Sequence, residues 1–203
     1  MYSPPYNRVE GRAELLAFMR AHSFCLLVTG AGGELAASHL PCLVEERGER
    51  LALVMHMARA NPQWQSFFDD DVLVVFWGPH AYVSPRWYER APAVPTWNYA
   101  MVHAYGRPKV LDEREAKHAS QRRLVEALDA QWLPAFDALA PDYVERMLDG
   151  IVNFEIEVAR LETRWKLSQN RGRREMELIA AALEASAGTD ERALAALTRK
   201  HLV

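Results

Sequence analysis

The stretch FCLLVTGAGGELAASHLPCLVEERGERLALVMHMARANPQW, residues 24–64, decides the architecture. Phe24 to Thr29 is a β-type run, Gly30-Ala31-Gly32-Gly33 is a turn, and Leu35 to Glu45 is a second strand, so the two form a hairpin. Arg47-Gly48-Glu49 turns the chain again. Leu51 to His56 is a third strand, dense in Val, Leu and Met. Pro41 interrupts the second run. Proline has no N–H for a ladder, so the strand is expected to lie at an edge, to bulge, or to turn toward a ligand there. Beyond the third strand, Asn61 is a good helix N-cap and Pro62 suits a first helical turn. Trp64, Phe67 and Phe68 then spell a short amphipathic helix, closed by Asp69-Asp70-Asp71.

Working outward, Arg12 to His22 reads as a helix with Leu15, Leu16, Phe18 and Met19 on its apolar face. Val72 to Trp77 is fully apolar, so a strand buried on both faces. Gly78-Pro79 reads as a turn, Ala81 to Ser84 as another strand ended by Pro85, and Trp87-Tyr88 as the start of a loop. Thr96 to Tyr105 mixes small or polar residues with aromatics. Asp112 to Leu128 is a surface helix, with Leu124 and Leu128 four apart. Pro134 and Pro141 punctuate a loosely helical stretch to Leu148. From Asn153 to Val158 polar and apolar residues alternate, the mark of a half-buried strand, which Trp165 to Asn170 closes. Arg173 to Ala187 and Glu191 to Leu202 are helices separated by Gly188-Thr189-Asp190. Six or more short antiparallel strands joined by tight turns predict a mainly β fold with flanking helices, a barrel or a sandwich. Long crossover helices between strands are missing, which argues against a doubly wound parallel sheet. At 203 residues one domain is expected over 1–171, with inserted helices, followed by a helical C-terminal extension over 172–203.

The composition is that of a globular chain: 50% hydrophobic, 25% charged, net charge −3. No strongly basic domain advertises itself to nucleic acid. Cys25 and Cys42, the only cysteines, form no C-x-x-C pair and lie in apolar runs, which suits buried, reduced thiols better than a disulfide or a catalytic thiol. The polar start Met1 to Glu10 has no apolar core of a signal peptide, and no stretch approaches the roughly 18 apolar residues of a membrane span. A soluble, cytoplasmic chain is expected. The aromatics are clustered: eleven fall between Trp64 and Tyr105.

Four segments hold residues suited to chemistry. In Met57 to Trp64 a strand ends, Arg59 follows, and a capped helix begins. Helix N-termini receive phosphate through free N–H groups, and an arginine adds a fork of donors; a capped helix with a solvated arginine uses the same residues without a ligand. In Ser38-His39-Leu40-Pro41 a strand with an interrupted ladder leaves backbone free to meet a planar ring, or is simply an edge. Tyr82, Ser84 and Thr96-Trp97-Asn98-Tyr99 combine aromatics for stacking with polar groups for orientation, or fill a core or a dimer interface. In Arg164 to Arg174 five residues are basic, and Lys166, Gln169 and Asn170 carry donors suited to one ligand's oxygens. His56, His80 and His103 match no local metal-ligand spacing, so no metal is expected. The chain has no G-x-G-x-x-G, no P-loop, no H-E-x-x-H and no G-x-S-x-G.

Taken in order, His39-Leu40-Pro41, His56 to Trp64, Gly78 to Pro85, Val94 to Tyr99, Val102 to Gly106 and Trp165 to Asn170 resemble the PaiB-type FMN-binding negative transcriptional regulators. The blocks cover about Met1 to Arg171. The resemblance implies a split β-barrel of the pyridoxamine phosphate oxidase type, a homodimer with FMN at the subunit interface. It assigns the FMN phosphate to Arg59, Asn61 and the backbone at Ala58 and Ala60, and the isoalloxazine ring to Ser38, His39, Leu40 and Pro41, with His56 beneath it. Trp64, Tyr82, Ser84, Trp97, Asn98 and Tyr99 line the pocket, some of them from the partner subunit, and Lys166, Gln169 and Asn170 close it. Phe67, Phe68, Phe76 and Trp77 are left to the core. The chain departs from the family at Thr163-Arg164, where the pattern carries Gly-Lys, so a hairpin turn there is expected to be altered.

The implied function is that of an FMN-binding negative transcriptional regulator. The negative charge and the absence of a recognisable helix-turn-helix give DNA no support as a direct partner. The alternatives are a flavin-dependent oxidoreductase acting on an unknown small molecule and a dimeric binding module for another planar ligand, such as a haem breakdown product or a different flavin.

Overall fold

The computed structural model describes every residue except Gly32, Phe68, Asp69, Asp70 and Val203, together with all side chains of the described residues but that of Ala31. The expected turn at Gly32, the core role of Phe68 and the helix end at Asp69-Asp70 lie outside the described residues. In chain order the elements are α1 (Arg12–Ala21), β1 (Phe24–Ala31), β2 (Glu34–Arg47), β3 (Arg50–Ala58), β4 (Val72–Val83), β5 (Thr96–Leu111), α2 (Arg114–Leu128), α3 (Leu133–Asp137), α4 (Pro141–Asp149), β6 (Ile151–Lys166), α5 (Arg173–Glu184) and α6 (Thr189–Lys200). The strands follow the hydrogen-bonded order β1-β2-β3-β6-β5-β4, closing into a barrel. The mainly β, six-stranded antiparallel fold with flanking helices is the one expected.

The chain packs as two compact units, one of Met1–Phe18, Trp77–His103 and Glu162–Val203, the other of Met19–Phe76 and Ala104–Leu161. In the second unit the alternate apolar residues of β1, β2, β3 and β6 turn inward. Leu27, Leu53, Met55, Phe76, Phe154 and Ile156 are buried, and Phe67 packs on Phe154 with ring centroids 4.7 Å apart. Each such side chain contributes about 1.5–3 kcal/mol by leaving water. Cys25 and Cys42 are free and buried on the same inward side. In the first unit the apolar face of α5 (Met176, Ile179, Ala180, Leu183) packs on Leu194 and Ala195 of α6, and Phe18 lies against Trp165 at 4.6 Å.

Several local expectations are corrected. Gly78-Pro79 makes no turn: β4 runs unbroken from Val72 to Val83. The buried positions switch from Val72, Val74 and Phe76 to Pro79, Ala81 and Val83. One extra residue inserted in a strand shifts the inward parity in this way, as at a bulge. Gly78 is needed there, because a Cβ would stand 2.5 Å from the Phe18 ring. Trp77 keeps the outward parity of the strand's first half and is 53% exposed, so Trp77 is no core residue. The helix after Asn61 is a short 3-10 turn, Pro62–Ser66. Its Gln63 side chain is tied down to Leu27 O and Ala36 O, and the Ser66 hydroxyl bonds back to Gln63 O at 2.7 Å, which holds the tighter winding. β2 is not an edge strand along its length. Residues 34–41 pair with β1 and residues 42–47 with β3, and Pro41 sits at the changeover, where a missing N–H is tolerated. Thr163-Arg164 is no hairpin turn: both residues lie inside β6, which continues to Lys166.

Candidate functional site

The polar turn after β3 is built by Asn61. Its Oδ1 accepts from Gln63 N at 3.0 Å, its Nδ2 donates to Ser38 Oγ at 2.9 Å, and its backbone N–H closes on Ala58 O at 2.9 Å. The Trp64 indole donates to Arg59 O at 3.2 Å, holding the ring across the turn. Ala58 and Ala60 are exposed, although the Ala58 carbonyl is taken by the Asn61 N–H and Ala58 pairs with Ile151. On β2, Ser38 is half-buried and His39 exposed. The His39 ring stacks on the exposed Phe24, centroids 6.0 Å apart. Leu40 turns its side chain into the core and Pro41 is half-buried, so Leu40 offers only backbone to a ligand. The structure thus brings Ser38, Asn61 and the 58–61 turn together.

Arg59 departs in another direction. Its backbone N–H bonds to Gly150 O at 2.9 Å, its Nε to Asp149 O at 2.8 Å, and one Nη to Ile151 O at 3.1 Å. These carbonyls close α4 and open β6, so the guanidinium caps the negative end of α4. Asn61 reaches toward β2 and Arg59 toward β6, the two neighbours of β3. The structure therefore separates the two side chains that the sequence groups around one phosphate. Arg59 lines a cavity of about 250 Å³ with Asp112, Arg114, Lys117, Leu148 and Asp149. The sequence shows these residues only as a surface helix and its flanks, because nothing local says that residue 59 and residue 117 meet.

His56 lies opposite Asn153 in the β3–β6 register. The Nδ1 of His56 and the Oδ1 of Asn153 are buried without a hydrogen-bond partner among the described residues, while the Asn153 amide donates to Ser120 of α2. Burial pushes the His56 pKa below its ordinary value, so the ring is neutral at pH 7.

In the first unit β5 alternates without a break. Asn98, Ala100 and Val102 point inward; Trp97, Tyr99 and Met101 point outward. The small inward residues and large outward aromatics explain the aromatic clustering seen in the sequence. Trp97 is 53% exposed and Tyr82 48%; they meet edge to face at 6.2 Å. His80 stacks on Trp97 at 6.1 Å and accepts a hydrogen bond from the Trp77 indole at 3.0 Å. Lys166 Nζ donates to Trp97 O at 2.8 Å and to the Thr96 hydroxyl. Burial, then the Arg164 charge, lowers its pKa. Asn98, Ser84 and Gln169 serve the scaffold. Asn98 is fully buried and donates to Ser168 Oγ at 3.0 Å. Ser84 caps the Pro85–Trp87 turn. Gln169 holds the left-handed turn at Ser168 through Leu167 N and Trp165 O. Asn170 is exposed. His80 and Trp77 are members of this aromatic face that the sequence reading did not include.

The fold defines the class. The FAD and heme binding protein from Mycobacterium smegmatis matches with a TM-score of 0.60 and 12% identity, over 78% of this chain and 72% of that one. The flavocytochrome Anf3 from Azotobacter vinelandii matches at 0.59 and 13%, over 80% and 74%. The chain is a closed six-stranded barrel with flanking helices, the fold it shares with these two proteins. A family model described as "Putative FMN-binding domain" matches residues 1–160. The protease synthase and sporulation protein PAI 2 of Bacillus subtilis (strain 168) is 39% identical over 173 residues, 84% of this chain and 83% of that protein. An uncharacterized protein of Emericella nidulans is 30% identical over 168 residues, 66% of each chain. The chain belongs to this PaiB-type family of FMN-binding-domain proteins.

Proposed function

We propose that the chain binds FMN and acts as a homodimeric, cytoplasmic negative transcriptional regulator. The observation that carries the flavin reading is the turn 58–61, tied to Ser38 through Asn61, with exposed backbone and a guanidinium at its rim. The hydroxyl and backbone on the β2 side of this turn, and the Arg59 guanidinium on its β6 side, are groups of the kind that hold a phosphate. The backbone of Ser38 to Pro41, with His39, runs along the ring, and His56 stays neutral beneath it. Tyr82, Trp97 and Tyr99 supply flat walls, Trp64 braces the turn, and Lys166 and Asn170 supply donors near them. Asn98, Ser84 and Gln169 hold those walls in place. FMN, when bound, supplies electron and hydride transfer.

The dimer reading rests on the outward row of Trp77, Tyr82 and Trp97. Exposed aromatics grouped on one sheet face are costly in water and are covered by a second copy. With a net charge of −3, regulation proceeds without direct reliance on DNA phosphates. The oxidoreductase reading is favoured by Lys166, whose lowered pKa makes Nζ a readier proton donor.

Titration with FMN and with riboflavin tests the proposal. FMN binds and riboflavin binds far more weakly; equal affinities remove the phosphate site, and no uptake of either removes the flavin reading. Duplex DNA titrated at two salt concentrations separates the roles, because phosphate contacts weaken as salt rises. NAD(P)H oxidation with added FMN measures the enzymatic alternative.

A further inference from the structure

The cavity beside Arg59 has an uncommon lining. Three cations from two regions of the chain converge on it: Arg59 from the end of β3, and Arg114 and Lys117 from the first turn of α2. Lys117 is buried, its side chain 8% exposed. Isolated buried ammonium groups are costly, so such a lysine is held by an anion. The anion here is Asp112, with Oδ1 3.0 Å from Lys117 Nζ and 3.9 Å from the Arg59 guanidinium. The Asp112 side chain is itself 80% exposed and belongs to the short link between β5 and α2. Its carboxyl pKa is lowered mainly by the Lys117 hydrogen bond and charge, and further by Arg59. The α2 N-terminus adds its dipole, since Glu113 makes no side-chain cap. The opposing charges are Asp149, 3.4 Å from Arg114, and Glu145, 3.2 Å from it; both carboxylates are well exposed and pair with Arg114, while the Asp149 carbonyl holds Arg59.

We infer that this cavity is an oxyanion pocket in which Asp112 stands in for a phosphate group, and that Arg114 and Lys117 join Arg59 in holding it. The chemistry recognised is a phosphomonoester or free phosphate. A cavity of about 250 Å³ holds several times the roughly 30 Å³ share of one water, enough for a phosphate with the first atoms of an attached chain. An incoming dianion displaces the exposed carboxylate, which swings into solvent, and leaves the buried ammonium paired. As the site of the flavin phosphate, the pocket rests on the FMN reading above, and it places the phosphate with Arg59, Arg114 and Lys117 rather than with Asn61 and Ser38 on the β2 side.

The test titrates the full chain with FMN, riboflavin and inorganic phosphate, comparing the wild type with Asp112→Asn, Arg114→Ala and Arg114→Ala/Lys117→Gln. Asp112→Asn removes the resident competitor and is expected to tighten phosphate and FMN binding several-fold, with riboflavin unchanged. The double variant is expected to weaken both by about tenfold or more, the loss of a charge-assisted hydrogen bond, again with riboflavin unchanged. The exposed Arg114→Ala keeps the test valid if the Lys117 change unfolds the chain. If the wild type prefers FMN to riboflavin but no variant alters that ratio, the pocket is overturned and the FMN reading stands. If the wild type does not distinguish the two flavins, the FMN-phosphate reading fails, and phosphate binding lost in the double variant supports a pocket for free phosphate. Absence of phosphate binding in that case overturns the pocket as well.

Discussion

Asn61 Nδ2 donates to Ser38 Oγ at 2.9 Å while its Oδ1 accepts from Gln63 N at 3.0 Å. One side chain thus caps the 3-10 turn and fastens it to β2. Asn61→Ala removes both bonds, about 1 kcal/mol for the cap and a further 0.5–1.5 for the tie (about that range). Asn61→Asp keeps the cap and loses the donor, so its cost in urea unfolding is expected to fall between wild type and alanine. Equal costs for the two variants would show that the cap contributes nothing, and a cost-free Asn61→Asp would show that the Ser38 bond contributes nothing.

Arg59 is held by Asp149 O and Ile151 O, so two effects are expected from one change. Arg59→Ala costs about 1.5–3 kcal/mol of FMN affinity and also loosens the α4–β6 junction. Arg59→Lys keeps the charge but not the fork, and is expected to lie between the two. Fluorescence titration reports the affinity, and amide exchange at Gly150 and Ile151 reports the junction.

Burial lowers the pKa of both His56 and His103. Below the unfolded value of about 6.5, the unfolded chain takes up protons that the folded rings resist. Stability therefore falls as pH drops from about 6.5 through the lower folded values. His56→Gln is expected to flatten part of this slope between neutral and mildly acid pH, and His103→Gln another part. Parallel slopes for wild type and both variants in denaturant titrations would contradict the burial argument.

Gly78→Ala places a Cβ 2.5 Å from the Phe18 ring and 3.0 Å from Ala100 O. Overpacking of this kind costs about 1–3 kcal/mol. Phe18→Leu removes the nearer clash, so the double variant is expected to lose less than the sum of the two singles, a coupling that a double-mutant cycle measures directly.

Trp97 is half-exposed and its main-chain carbonyl, not its ring, holds Lys166. Trp97→Ala is expected to leave the melting temperature nearly unchanged, as surface substitutions do, while weakening flavin uptake and shifting the chain toward monomer. Light scattering coupled to size-exclusion chromatography checks the second effect. An unaltered mass and unaltered flavin binding would remove Trp97 from both roles.

The strands were legible where neighbouring residues carry the signal. Alternation in Asn153 to Val158 and the glycine turn at Gly48 between β2 and β3 are local properties, and the strands lie there. Local reading failed at Gly78-Pro79. A Gly-Pro pair ends most strands, and only the ring of Phe18, sixty residues earlier, makes the glycine a packing requirement. Trp77 was misplaced because an unbroken apolar run does not show that its last ring stands on the outward side of β4. In β5 the parity separates small residues from aromatics, and the structure decides that the small ones face inward.

By itself the sequence determined the place of β1, β2, β3 and β6 and of the longer helices, the ordered motifs of the PaiB-type family, and the residue types gathered near residues 38–41 and 56–64. Those depend on local periodicity, turn chemistry and chain order. Only the tertiary structure decided where the side chains go. Arg59 and Asn61 are two residues apart, yet one bonds to the β6 side and the other to β2, because β3 lies between those strands. Arg59 meets Lys117 around one cavity through strand pairing that joins Ala58 to Ile151. Such convergence is set by register between distant segments, which no local pattern encodes.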